Sequence, residues 1–197
     1  MSAKVRCAWA GEDPLYIRYH DEEWGVPQTN DIKLFEKIVL EGFQAGLSWI
    51  TILRKREHFR EVFDGFQPEK IVRYNDKKIA ALMADPGIVR NKLKIEATID
   101  NARAYLKLAE TGSLAHLLWD IAGGKPQQNA VAGKGHLPAE TPTSKAMSKA
   151  LKARGFRFVG PTTVYAFMQS VGMVNDHFTD CHRHAECAKL AKKFVAP

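Results

Sequence analysis

Apolar residues recur at helical spacing along most of the chain, and strict alternation of apolar and polar residues is scarce. Within residues 31–45, Leu34, Phe35, Ile38 and Val39 return every three or four positions, which is typical of an amphipathic helix. The same reasoning predicts helices at 48–59, 68–74, 76–84, 91–110, 144–154 and 162–171. We therefore predict an all-α fold with little β-sheet.

Local signals add detail to this prediction. Asp76 is expected to cap the helix at 76–84. Residues 123–143 are rich in Gly, Pro, Gln and Asn and are expected to form a loop, and residues 155–161 a short hairpin between two helices. The helix at 91–110 is expected to place its apolar residues in the core: Leu93, Ile95, Ala97, Ile99, Ala102 and Leu106.

Length and charge set broad limits on the protein. A chain of 197 residues can build a sizeable core, and we expect a single domain over residues 1–197. Lys and Arg number 29 against 22 Asp and Glu, which gives a net charge of +7. This excess favours a polyanionic partner such as nucleic acid, although a generally basic surface explains it equally well.

The sequence also points to a compartment. No apolar run follows Lys4 and Arg6, so we expect no secretory signal. No stretch approaches the roughly 20 apolar residues of a membrane span. The 3 cysteines argue against a disulfide framework, and in a reducing cytoplasm clustered Cys and His are more often metal ligands.

The segment 144–172 has the pattern of a helix, a glycine-containing hairpin and a second helix. A glycine turn that opens a helix leaves backbone N–H groups free, and the helix dipole helps them to hold a phosphate. Lys149, Lys152, Arg154 and Arg157 lie nearby. An ordinary pair of packed helices explains the same pattern, so the segment alone does not establish DNA binding.

An aromatic cluster and a single carboxylate are the candidate recognition elements. Trp9, Tyr16, Tyr19 and Trp24 could stack on a base taken out of the duplex, although aromatic residues are more often simply core. Glu41 follows Leu34 by seven residues and Ile38 by three, so it falls on the apolar face of its helix. Small residues and Trp49 come next, which suits a pocket for a flat ligand; the alternative is a glutamate that reaches solvent.

Two sets of residues could bind a metal ion. Cys7 and His20 together with His177 and Cys181 would make a tetrahedral site that joins the two ends of the chain. The rival set is local and consists of Cys181, His182, His184 and Cys187. Spacing does not rank the two sets, and neither is required.

Long blocks of the sequence resemble the bacterial 3-methyladenine DNA glycosylase I family of the helix-hairpin-helix superfamily. The strongest blocks are CAWAGEDPLYIRYHDEEWGVP from Cys7, LFEKIVLEGFQAGLSWITILRKRE from Leu34 and KALKARGFRFVGPTTVYAFMQSVGMVNDH from Lys149. The run GIVRNKLKIEATIDNARAYL from Gly87 also fits. The similarity spans nearly the whole chain in the right order, which is far more specific than one hairpin.

This resemblance implies a helix-hairpin-helix glycosylase fold with one structural zinc ion that joins the N- and C-terminal segments. The family's ligand positions correspond to Cys7, His20, His177 and Cys181. The hairpin, at about 144–172, would hold the DNA backbone through a small set of residues. These are Gly155, Val159, Gly160, Thr162 and Thr163.

The resemblance also implies the chemistry. The enzyme would flip 3-methyladenine out of alkylated double-stranded DNA and hydrolyse its N-glycosidic bond, leaving an abasic site and the free base. Glu41 would accept hydrogen bonds from the amino edge of the base and stabilise its positive charge. No lysine would attack the sugar, so the enzyme would not cleave the strand. The pocket would comprise Tyr16, Trp49, Trp9, Tyr19, Trp24 and Glu41. We expect a bacterial, cytoplasmic monomer.

Three points stay open at this stage. Asp176 could assist water or the sugar cation, or it could orient His177 as a metal ligand. A DNA-binding protein without excision would share the hairpin and the metal site, but it would have no use for Glu41. A catalytic zinc enzyme is disfavoured, because four protein ligands leave no open position for water.

Overall fold

The computed structural model describes residues 4–132 and 137–197. It is mostly helical, as predicted. The helices are α1 (Pro14–Glu22), α2 (Asp31–Gln44), α3 (Trp49–Val62), α4 (Pro68–Ile71), α5 (Asp76–Ala84), α6 (Lys92–Ala109), α7 (Leu114–Ile121), α8 (Pro142–Ala153), α9 (Pro161–Ser170) and α10 (His182–Lys193). Short 3₁₀ turns lie at Ala8–Ala10 and Asp64–Phe66. The strands β1 (Gln127–Gln128) and β2 (Val174–Asn175) pair in parallel, with Gln127 opposite Val174.

Helix α2 is the centre of the packing, because it contacts α3, α6, α7 and α9. Its residues from Leu34 to Phe43 include an almost continuous buried run. Phe43 turns into an aromatic cluster with Phe59 and Phe63, at ring-centroid distances of 4.8 and 5.9 Å. This packing fixes the C-terminal half of α2, where Glu41 lies.

Three helices were not expected from the sequence: α1, α7 and α10. Several finer predictions were also wrong. Asn75, not Asp76, caps α5, since its side chain accepts a hydrogen bond from the Lys78 amide. Leu93 is 58% exposed rather than in the core, because the buried stripe of α6 runs through Ile95 and Ile99.

The loop expected at 123–143 is broken by β1, and its end belongs to α8, where Thr141 and Ser144 form a reciprocal capping box. Residues 133–136 of that prediction lie outside the described residues. In the described part of the chain, no helix is both long and apolar enough to span a membrane.

Candidate active site and metal centre

One cavity of about 190 Å³ brings together every residue that was expected to bind a base. Its lining includes Trp9, Tyr16, Tyr19, Trp24, Glu41 and Trp49. Four further lining residues were missed from the sequence: Gln44, Leu137, Ala166 and Gln169. Gln44 could have been found, because it follows Glu41 by three residues on the same helix; Gln169 carried no such signal.

Helix α1 supplies one wall of this cavity. Asp13 caps the helix by accepting hydrogen bonds from the amides of Leu15 and Tyr16, and Pro14 occupies its first position. The spacing of three and four residues then places Tyr16, Tyr19 and His20 on one side of α1. The two tyrosines reach the cavity, whereas the buried His20 turns to a cysteine–histidine cluster described below.

The aromatic rings pack on one another and form preorganised walls. Trp9 lies 5.1 Å from Tyr16 and 4.9 Å from Trp24 between ring centroids, and Tyr19 lies 5.4 Å from Trp49. Such contacts hold the rings in place before any ligand arrives. The surface they offer suits a flat aromatic ligand.

Glu41 is 3% exposed, so the prediction that it is buried is confirmed. Its Oε2 atom has no hydrogen-bond partner among the described residues. Burial raises the pKa of Glu41 to about 7, although the Lys37 ammonium and Ser170 oppose the shift. A carboxylate oxygen without a partner in the lining of an aromatic cavity suits a ligand that offers N–H groups.

Lys37 approaches the same walls from outside the cavity lining. Its Nζ donates a hydrogen bond of 3.2 Å to the Tyr19 hydroxyl and lies 4.3 Å from the centroid of a Trp49 ring. Burial lowers the pKa of Lys37 to about 8, with Glu41 acting in the opposite direction. Since an ammonium only donates, the Tyr19 oxygen accepts and its own hydrogen is free for another acceptor.

Asp176 does not hydrogen-bond His177, and it is not among the residues that line the cavity. It is fully buried, and its carboxylate accepts hydrogen bonds from Tyr165, Gln169 and Asn129. His177 is not among its partners: the Nε2 atom of His177 faces the Trp24 carbonyl at 3.0 Å.

A compact cluster of ligand-capable side chains joins the two ends of the chain. Cys7, His20, His177 and Cys181 are all buried, and one ligand atom of each lies within 4.8 Å of the others. The Cys181 Sγ atom is 3.5 Å from His20 Nε2 and 3.7 Å from His177 Nδ1. Zinc–sulfur and zinc–nitrogen bonds of about 2.3 and 2.0 Å imply tetrahedral edges of about 3.6 Å, so two thiols and two imidazoles at these separations fit the ion.

Neighbouring groups orient both histidines of this cluster. His20 Nδ1 lies 2.7 Å from the Asp21 carboxylate, and the opposite nitrogen faces the cluster.

The rival ligand set is not assembled in the same way. His182 and His184 approach the backbone carbonyls of Val5 and Asn129, at 2.9 and 3.0 Å.

Helices α8 and α9 pack against each other, and residues 154–160 connect them. Gly155 has a φ of +92°, a conformation that favours glycine. Gly160 caps α9 without a side-chain hydrogen bond, and Thr162 is exposed in the first turn. The Val159 side chain is 2% exposed, so only its backbone could contact a phosphate.

A helical fold that places a buried carboxylate in an aromatic cavity suits a protein that recognises nucleic-acid bases. Comparison with known proteins identifies the family. Residues 9–184 match the family model described as methyladenine glycosylase, so the chain belongs to that family and is an enzyme. It is 51% identical to the DNA-3-methyladenine glycosylase of Haemophilus influenzae, over 90% of this chain and 96% of the relative.

Solved structures agree with this assignment. A crystal structure of 3-methyladenine DNA glycosylase I superposes with a TM-score of 0.90 at 50% identity, covering 91% of this chain and 100% of the other. A single-residue variant of 3-methyladenine DNA glycosylase I, solved in complex with 3-methyladenine, has a TM-score of 0.86 at 38% identity, covering 90% and 96%. The predicted family is thus confirmed.

Proposed function

We propose that the protein excises 3-methyladenine from alkylated double-stranded DNA by hydrolysing the N-glycosidic bond, releasing the free base and leaving an abasic site. The observation that carries the proposal is the buried Glu41, whose Oε2 has no partner among the described residues and which lies in an aromatic cavity. A family member bound to 3-methyladenine supports the same ligand.

The cavity suits this lesion because methylation at N3 makes the base cationic while it is attached to the sugar. Rings such as Trp49 and Tyr16 attract a cation through their faces, and an ionised Glu41 adds a full negative charge. Normal adenine carries no such charge. The same groups would therefore bind the lesion in preference to an undamaged base.

In the proposed reaction the nucleotide leaves the duplex and its base enters the cavity. The bond between C1′ and N9 breaks, and its electron pair stays on the base, which loses its positive charge. A water oxygen adds to C1′, and the water proton passes to solvent. Since the leaving group is already activated, Glu41 acts by holding the base and stabilising charge, not by protonating it.

We further propose that the enzyme does not cleave the strand. Strand cleavage by a glycosylase needs an amine that attacks C1′. Lys37 is outside the cavity lining and lies against the Tyr19 and Trp49 rings.

Zinc and the hairpin complete the proposal. Cys7, His20, His177 and Cys181 would bind one structural zinc ion, whose closed coordination would tie the N-terminal segment to the chain before α10. Independently, the α8–α9 hairpin would hold the DNA backbone through the exposed end of α9. The residues proposed for this contact are Gly155, Val159, Gly160, Thr162 and Thr163.

Release of 3-methyladenine from methylated duplex DNA tests the proposed function. We expect wild-type protein to release the free base and to leave alkali-labile abasic sites without nicking the strand. Binding of methylated DNA with no base release would instead favour the rival function, a DNA-binding protein without excision.

A further inference from the structure

A hydrogen-bond network behind the cavity fixes the orientation of one lining side chain. Gln169 lies on α9, one turn after Ala166, and its Nε2 atom donates a hydrogen bond of 2.8 Å to Asp176 Oδ2. Tyr165 donates to the same oxygen at 2.7 Å, and Asn129 donates to the other oxygen at 2.6 Å. The carboxylate is thus held from three directions in a buried position.

This network determines which end of the Gln169 amide is free. The Gln169 Nε2 atom is the one that faces Asp176 Oδ2, and an NH₂ group is the end of the amide that can donate to a carboxylate oxygen. The amide carbonyl oxygen is then directed elsewhere, and it has no hydrogen-bond partner among the described residues. It is also not among their fully buried polar atoms without a partner, so it stays accessible. Since Gln169 lines the same cavity as Glu41, we infer that this oxygen serves there as a second acceptor.

We propose that Gln169, oriented by Asp176, is a specificity-determining residue that reads the exocyclic amino group of the base. This inference rests on the proposed function. Adenine offers two N–H donors on that group, which suits two acceptors, whereas guanine carries a carbonyl oxygen at the same position. An acceptor facing an acceptor leaves both without a partner in a dry cavity, and such mismatches discriminate strongly between substrates. The network therefore favours 3-methyladenine over 3-methylguanine.

Asp176 is in this account a positioning residue and not a catalytic one. In Asp176→Asn the new amide offers a donor as well as an acceptor, so Gln169 is free to turn its own carbonyl or its NH₂ group inwards. In Gln169→Leu the acceptor is lost at similar size. Both variants should weaken discrimination, and Gln169→Leu should do so more.

The experiment measures release of both bases from one sample of methylated duplex DNA. We expect the ratio of 3-methyladenine to 3-methylguanine release to fall about tenfold in Gln169→Leu and less in Asp176→Asn. Because both bases are released by the same enzyme sample, a partly unfolded fraction cancels from the ratio. Gln67→Leu, at a glutamine outside the cavity lining, is the matched control and should keep the wild-type ratio.

The possible results separate the two proposals. If the wild type releases 3-methyladenine and Gln169→Leu keeps the wild-type ratio, the role of Gln169 is refuted and the function stands. If the wild type releases no 3-methyladenine, the proposed function fails first. Titration with free 3-methyladenine, followed by tryptophan fluorescence, should independently show weaker binding in Gln169→Leu; equal binding would contradict the inference.

Discussion

Burial of the Glu41 carboxyl group in the cavity lowers the stability of the folded protein at neutral and high pH. Its pKa rises from 4.5 in the unfolded chain to about 7 in the folded protein, so the folded state binds the proton more tightly. The free energy of unfolding therefore falls as pH rises from 4.5 through about 7, and the loss persists above that range. A neutral amide at this position escapes the penalty.

We predict that Glu41→Gln is more stable than the wild type at pH 8 by about 1–3 kcal/mol, and that this difference shrinks towards pH 4.5. Thermal unfolding at the two pH values measures the effect. Glu69→Gln, an exposed glutamate on α4, should leave the melting temperature nearly unchanged. Equal stability of Glu41→Gln and wild type at pH 8 would mean that the carboxylate is not strained by burial.

Lys37 leads to a second prediction, on how ligand binding by Glu41 depends on pH. The charged groups around its ammonium are Glu41 and Glu36 on its own helix, Arg56 on α3, and Glu23, which directly follows α1. Because the ammonium lowers the pKa of Glu41, removing it should raise that pKa further. Binding of free 3-methyladenine by ionised Glu41 should then begin at higher pH.

Lys37→Met should move the midpoint of the binding-versus-pH curve upward by roughly half to one unit. Lys33→Met, at an exposed lysine on the same helix, is the control and should keep the wild-type midpoint. An unmoved midpoint in Lys37→Met would show that the two groups are not coupled.

The helical elements show what could be predicted from the sequence. Periodicity predicted α2, α3, α4, α5, α6, α8 and α9 to within a few residues. It failed for α1, whose inward face mixes tyrosines with His20 of the cysteine–histidine cluster. It also failed for α10, where Cys187 is the one fully buried residue, so no apolar stripe forms. The only local sequence signal for α1 is the N-terminal cap formed by Asp13 and Pro14.

For the site too, residues within one helical pattern could be predicted, whereas contacts that depend on tertiary packing could not. The burial of Glu41 could be predicted because its carboxylate falls on the apolar face of an amphipathic helix. Gln169 and its link to Asp176 could not, because their hydrogen bond depends on how α9 packs against the chain after it. The choice between two metal-ligand sets likewise came from the family resemblance and not from spacing.

The cysteine–histidine cluster gives a prediction for the chain ends. We expect one zinc ion per chain in metal analysis, lost in Cys181→Ser together with several kcal/mol of stability. Cys187→Ser removes a buried thiol outside the cluster and should keep the metal. A stable wild-type protein without zinc would contradict the proposed structural zinc site.

The end of α9 gives a prediction that separates phosphate binding from simple helix packing. Thr162→Asp places a negative charge in the first turn, where it suits the helix dipole but repels a phosphate. We expect unchanged or slightly higher stability with DNA affinity reduced about tenfold or more at low salt. Thr143→Asp, the equivalent position in α8, should keep full affinity; equal affinity in both variants would remove α9 from the DNA contact.

At the scale of the whole molecule, α2 links the parts of the account. Most of its buried residues pack in the core, and Glu41 in its C-terminal half lines the cavity together with Tyr16 and Tyr19 of α1 and Gln169 of α9. A base in the cavity and a phosphate at α9 would thus be held by neighbouring elements. That a single domain and a monomer suffice for this arrangement stays a prediction.

The most direct test of the central claim is the release of 3-methyladenine from methylated duplex DNA by wild type and by Glu41→Gln at pH 8. We predict release by the wild type, and a loss of at least about a hundredfold in a variant that is folded and at least as stable. Equal release by Glu41→Gln would contradict the account, because the buried carboxylate would then have no part in the reaction.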